Sequence, residues 1–108
     1  MVIELLRVSC PPDKRGAFIQ RDAEVWTRGL MRHAGFLGKE VWTNPDDPSQ
    51  VVFVIHWESM AQWQSFPQKW CDELDAQMGD LLMSFTCETY QVAVPDTRSL
   101  QRHLPGEN

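Results

Sequence analysis

The chain has 108 residues, 10 Lys and Arg against 15 Asp and Glu, a formal charge of −5 and a pI near 5.0. One domain with a modest core is what this length supports. The acidic balance argues against the clustered basic surface of a nucleic-acid binder, and no run reaches the roughly 18 apolar residues of a membrane span. Cys10, Cys71 and Cys87 are an odd set without close pairing, which argues against a disulfide framework or a CxxC metal site and points to a reducing compartment. With no basic-then-apolar leader at the N-terminus, a cytoplasmic protein is expected.

In chain order, residues 2–8 read as a strand. Pro11-Pro12-Asp13 then breaks the strand and opens a helix with an acid near its N-terminus, where the dipole favours one. That helix is expected over 14–33, with Gly35 as its stop. A second strand follows over 36–43. Asn44-Pro45-Asp46-Asp47-Pro48 is a turn signal, because Pro fixes φ and Asn and Asp accept tight turns. The third strand, 51–58, is apolar at every position from Val51 to Ile55. Since strand side chains alternate faces, such a strand buries both. Ser59 is the expected N-cap of the next helix, and Pro67 divides that helix into 60–66 and 68–82. On the longer piece Trp70, Leu74, Met78, Leu81 and Leu82 recur at helical spacing and read as core. Residues 86–94 are the fourth strand, and 95–108 a C-terminal extension to a domain spanning 1–94.

The order βαββαβ is the ferredoxin-like split βαβ pattern, an α+β fold. Right-handed crossovers place both helices on one face of a four-stranded antiparallel sheet. The other face is normally polar when it meets water. Here Val52 and Val54 lie on one side of the third strand, and Phe53, Ile55 and Trp57 on the other. A second copy packed sheet to sheet would cover both, so a homodimeric α+β barrel is expected.

Several segments carry a resemblance: Ala34-Gly35-Phe36-Leu37-Gly38 entering the second strand, the Asn44 to Pro48 turn, and Val54-Ile55-His56-Trp57-Glu58-Ser59 followed by Trp63. Together they resemble the antibiotic-biosynthesis-monooxygenase-like (ABM) domains of the dimeric α+β barrel superfamily, over about residues 1–94. The whole chain, with Glu4, Phe18 to Glu24 and Tyr90-Gln91-Val92, looks most similar to a small cyanobacterial group of them. The resemblance implies a homodimer that takes a small apolar or aromatic molecule between sheet and helices. If the chain is an enzyme, it implies monooxygenation without a cofactor. The haem-degrading members use an Asn on the first strand, a Trp, and a His on the second helix. This chain has no Asn before Asn44 and no His between His56 and His103, so that set is not carried over.

Several polar residues occupy apolar settings. On the first helix Phe18, Ile19, Ala23, Val25, Trp26 and Leu30 form one arc, and Asp22, Gly29 and His33 fall inside it. A carboxylate there is costly unless paired. Asp22 therefore either pairs with a nearby Arg or caps the backbone, or it faces a cavity as a base. His33 suits the last turn of the helix, and Gly29 a close approach. His56 is either a hydrogen-bonded interior or interface histidine or a proton carrier. Trp57 points to the opposite side from His56 and either packs or binds a flat ligand. Glu4 is either a group at the dimer seam or a pocket acid, and Tyr90 could offer a hydroxyl. The candidate catalytic residues are Asp22 and His56, and the candidate ligand-binding residues are Trp26, Trp57, Tyr90 and Glu4. The three histidines lack metal-ligand spacing, and there is no Gly-rich phosphate loop or Gly-x-Ser-x-Gly elbow. No metal or cofactor is expected. The alternative to an enzyme is a non-catalytic dimer that senses or sequesters a ligand or serves stress physiology.

Overall fold

The structure, a computed structural model, describes residues 1–95. Its elements are β1 (Val2–Ser9), α1 (Arg15–Asp22), a π-helical turn (Ala23–Thr27), α2 (Arg28–Leu30), β2 (Phe36–Asn44), β3 (Asp47–Trp57), α3 (Met60–Gln64), α4 (Gln68–Met78) and β4 (Phe85–Gln91). The strands form one antiparallel sheet in the order β2-β3-β1-β4. This is the ferredoxin-like arrangement expected from the sequence, with each helix in pieces. The extension expected over 95–108 lies, beyond Pro95, outside the described residues.

Cross-strand pairing fixes the faces. Val2, Glu4, Leu6 and Val8 of β1 stand opposite Trp57, Ile55, Phe53 and Val51 of β3, so all eight share the face that the helices cover. Phe18 and Leu30 from the first helical stretch and Met78 and Leu81 from the second complete the core. Phe18 stacks on Phe53 with ring centroids 5.7 Å apart. Each such side chain, taken out of water, contributes about 1.5–3 kcal/mol. Trp57 is almost fully buried, and the rings of His33, Phe36 and Phe66 meet it edge-on.

The turn between β2 and β3 is tighter than the prolines suggest. Only Pro45 and Asp46 lie outside the strands, and the Asp46 N–H donates to Asn44 Oδ1 at 2.9 Å. The Asn side chain thereby replaces a backbone turn bond, which lets β3 start at Asp47 instead of residue 51. Ser59 caps α3 as expected, its Oγ accepting the Gln62 N–H at 3.1 Å, a bond worth about 1 kcal/mol. The core stripe on α4 is only partly correct. Met78 and Leu81 are buried, but Trp70 is 41 % and Leu82 49 % exposed. Gly79, at φ +58°, ends α4 before Leu81 and shifts the helical phase.

Two glycines are required by close approach. A Cβ on Gly29 would stand 2.8 Å from Leu74 Cδ1, so this glycine lets the first helical stretch seat against α4. Gly35 has φ +89° and presses on α3, where an added Cβ would lie 2.5 Å from Gln62 Cβ. Gly35→Ala is therefore expected to lower stability by about 2 kcal/mol, combining left-handed strain with overlap. Chemical denaturation measures this directly, and an unchanged midpoint would contradict the turn geometry.

Candidate functional site

Between the helix-covered face of the sheet and the helices lies a cavity of about 440 Å³. That volume is in the range that holds small organic ligands. Strand alternation delivers Glu4 and Leu6 from β1 and Phe53, Ile55 and Trp57 from β3 to its floor. Trp26, Trp63 and Phe66 from the helical side wall it, and the exposed side chains of Leu82 and Phe85 lie at its rim. Trp26 sits in the π-helical turn, directly after Asp22 closes α1. Such one-turn widenings of a helix recur at functional sites.

The polar groups of the cavity fall into three sets. Asp22 is 3 % exposed, and its Oδ2 accepts a short hydrogen bond from Lys39 Nζ. The same ammonium donates to Thr27 Oγ1 at 3.1 Å and lies 4.2 Å from the ring centroid of Phe53. One ammonium thus serves two oxygen acceptors and an aromatic face. Burial pushes the Asp22 carboxyl up and the Lys39 ammonium down, and their mutual attraction opposes both shifts. Second, Glu4 Oε1 accepts from Trp57 Nε1 at 3.1 Å. The Trp63 indole also reaches this carboxylate, and Oε2 is not sealed from the cavity. Burial raises the Glu4 carboxyl above its ordinary value, while the indoles of Trp57 and Trp63 and the Lys39 charge pull it down. Third, Asp75 on α4 accepts from Trp26 Nε1 at 3.2 Å through Oδ1, and burial raises its carboxyl also.

A carboxyl whose folded value is raised is held best when protonated. Its stabilising contribution is complete below the unfolded value, near 4.5 for Glu4, and is lost as pH rises through the folded value. Glu4→Gln, which keeps an acceptor for Trp57, is thus expected to be more stable than the parent at neutral pH, with the gap closing towards pH 4. Thermal unfolding across that range measures the gap, and a parent more stable than the variant at pH 7 would contradict the direction.

Of the sequence candidates, Glu4, Asp22, Trp26 and Trp57 line the cavity together. Asp22 does face it, but paired with a lysine instead of the expected Arg. His56 and Tyr90 are not brought there. His56 pairs in register with Ile3 and Gly38, on the outer face of the sheet, and its Nε2 lies 3.0 Å from Glu40 Oε2. Tyr90 shares that face and donates a short bond to Glu88, which also accepts from Arg7 Nε at 2.6 Å. His33 is tied down by Ser65 Oγ at 2.9 Å and Gln62 O at 3.2 Å, joining the helices instead of serving a helix end.

Lys39, Trp63, Phe66 and Asp75 also line the cavity without being among the candidate site residues. Period-two alternation from Phe36 sends Lys39 outwards, but an irregularity between Phe36 and Gly38 sets two residues of β2 against one step of β3 and returns Lys39 inwards. Trp63 and Phe66, three residues apart on either side of the α3 terminus, carry a helical spacing that would have flagged them. No group of three or more His, Cys, Asp or Glu among the described residues is placed to hold a metal ion, and none of their helices is long and apolar enough to cross a membrane.

The family model described as "Antibiotic biosynthesis monooxygenase" matches residues 1–69. No curated protein sequence matches significantly. Among solved structures, SnoaB, a cofactor-independent oxygenase from Streptomyces nogalater, superposes with a TM-score of 0.64 at 13 % identity, covering 86 % of this chain and 93 % of its own. The heme-degrader MhuD from Mycobacterium tuberculosis, solved with two hemes in its active site, gives 0.66 at 18 % identity, covering 87 % and 97 %. A protein from Shewanella oneidensis gives 0.62 at 22 % identity, covering 82 % and 87 %. At these identities the structural likeness concerns the fold.

Proposed function

Because the chain belongs to the antibiotic biosynthesis monooxygenase family, we propose that it binds a small aromatic molecule between its sheet and helices and oxygenates it with dioxygen. The single observation that carries this reading is the 440 Å³ cavity walled by indole and phenyl rings, with a carboxylate oxygen of Glu4 open to it. A hydroxyarene seated on those rings would place its O–H towards Glu4, which would hold or remove the proton and leave an electron-rich ring. One atom of dioxygen then enters the ring system as a carbonyl oxygen and the other leaves as water, so that an anthrone methylene becomes a quinone carbonyl. In this scheme Lys39 and Asp22 pair across the sheet and the helix, line the pocket and take no proton.

An oxygen electrode with an anthrone as substrate tests the reaction. One O₂ consumed per quinone formed is expected, with Glu4→Gln slower by at least about 100-fold, the lower end for loss of a general base. Uptake no faster than in buffer would sink the oxygenase reading. The neutralisation of Asp22 by Lys39 favours a second reading in that event, a dimer that binds the ligand without turnover.

The proposal includes a homodimer closed over the outer face of the sheet, acting in a reducing cytoplasm where Cys10, Cys71 and Cys87 stay thiols. What supports the dimer is the layout of that face. Ile3, Leu5, Val52 and Val54 form its centre, flanked by the His56–Glu40–Trp42 and Arg7–Glu88–Tyr90 sets. An apolar centre within a polar rim is the usual anatomy of an interface. Membership of the small cyanobacterial group rests on sequence resemblance alone.

A further inference from the structure

We infer that the cavity selects neutral or cationic aromatic molecules carrying a hydrogen-bond donor and rejects carboxylate-bearing ones of the same shape. This deepens the proposed function and rests on it, since it takes the cavity to be the ligand site. The charged groups at the cavity are Glu4, Asp22, Asp75 and Lys39. Lys39 is the sole cation among these lining residues, and its ammonium is closed off by Asp22, Thr27 and the Phe53 ring. A ligand anion therefore finds no cation free to receive it. Two carboxylates remain, each with one oxygen bonded to an indole N–H, Glu4 to Trp57 and Asp75 to Trp26. Those two indole N–H donors are consumed, and that of Trp63, the third indole of the lining, is turned towards Glu4 as well. The polar lining from these pairs thus presents acceptors, and aromatic rings such as those that wall the cavity attract cations to their faces. A carboxylate brought here would meet like charge across a short, partly dehydrated gap, where the repulsion is far stronger than in water.

Calorimetric titration with 1-naphthylmethylammonium, 2-naphthol and 1-naphthoate at 0.15 M salt separates the possibilities, because the three share one ring system. The ammonium and the naphthol are expected to bind, with the ammonium at least tenfold tighter than naphthoate. In the Glu4→Gln, Asp75→Asn double variant, which keeps both acceptors for the indoles, that ratio is expected to fall to threefold or less. Naphthoate binding as well as the ammonium would overturn this inference and leave the aromatic site standing. An unchanged ratio in the double variant would also overturn it, by placing the discrimination in the overall charge of the chain. Failure of all three to bind would overturn the proposed function itself.

Discussion

Lys39→Met is expected to lower the unfolding free energy by about 3–5 kcal/mol, the usual cost of removing one partner from a buried ion pair. For a domain of this size each kcal/mol moves the melting temperature by about 4–8 °C, so a loss of roughly 12 °C or more should be plain in a thermal scan. The reason is Asp22, 3 % exposed and held by Lys39 from the neighbouring layer. Without the ammonium, the carboxylate must stay charged in an apolar setting or take up a proton. Its folded value would then rise further above the ordinary 3.8, giving stability that is complete below that value and lost as pH rises through the new one. The defect should accordingly be largest at neutral pH and shrink in acid. Replacing both partners, Asp22→Leu with Lys39→Met, should recover most of the loss, because an apolar pair of similar volume has no charge to desolvate. A single variant as stable as the parent would mean that Asp22 and Lys39 are not paired in the folded protein.

The second large effect concerns assembly. Trp42→Glu is expected to weaken the proposed homodimer by roughly 30-fold to 1,000-fold, the range of about 2–4 kcal/mol for losing a large aromatic contact and gaining a charge at an interface. Trp42 is 48 % exposed on the outer face, its Nε1 donating to Glu40 at 3.2 Å, so truncation should leave the fold of the single chain intact. The new carboxylate would also stand beside Glu40. Light scattering of the parent should report a dimer at micromolar concentration and of the variant a monomer, with little change in melting of the monomeric species at high dilution. A parent that is monomeric at that concentration would contradict the proposed assembly.

How much of this was legible in the sequence follows from which constraints are local. The succession of strands and helices along the chain, the Ser59 cap and the break at Pro67 are set by neighbouring residues, so they could be read directly. The apolar run from Val51 to Ile55 correctly implied a strand shielded on both faces. Yet Val52 and Val54 are only 7 % and 5 % exposed in the single chain, flanked in register by Arg7, Trp42, Leu5 and Glu40. Neighbouring strands do part of the work assigned to a second subunit, and the exposed Trp42 and Tyr90 are the better argument for one. Asp22 was legible as an anomaly because a lone carboxylate on an apolar arc violates the helical pattern. Its partner was not, because the strand irregularity at Gly38 reverses the face on which Lys39 falls, and no periodic reading anticipates that. The separation of His56 from the cavity follows from alternation alone and was implicit in Trp57 pointing the other way.

The five tryptophans supply the most direct test of the cavity as the ligand site. Trp26, Trp57 and Trp63 line it, Trp70 packs on Phe66 outside it, and Trp42 is on the opposite face of the sheet. In a proton–nitrogen correlation spectrum with the indoles labelled, titration with 2-naphthol should shift the Nε1–H signals of Trp26 and Trp57, whose bonds to Asp75 and Glu4 frame the site, and leave that of Trp42 in place. Shifts confined to Trp42, or none at all at saturating naphthol, would contradict a ligand site between sheet and helices.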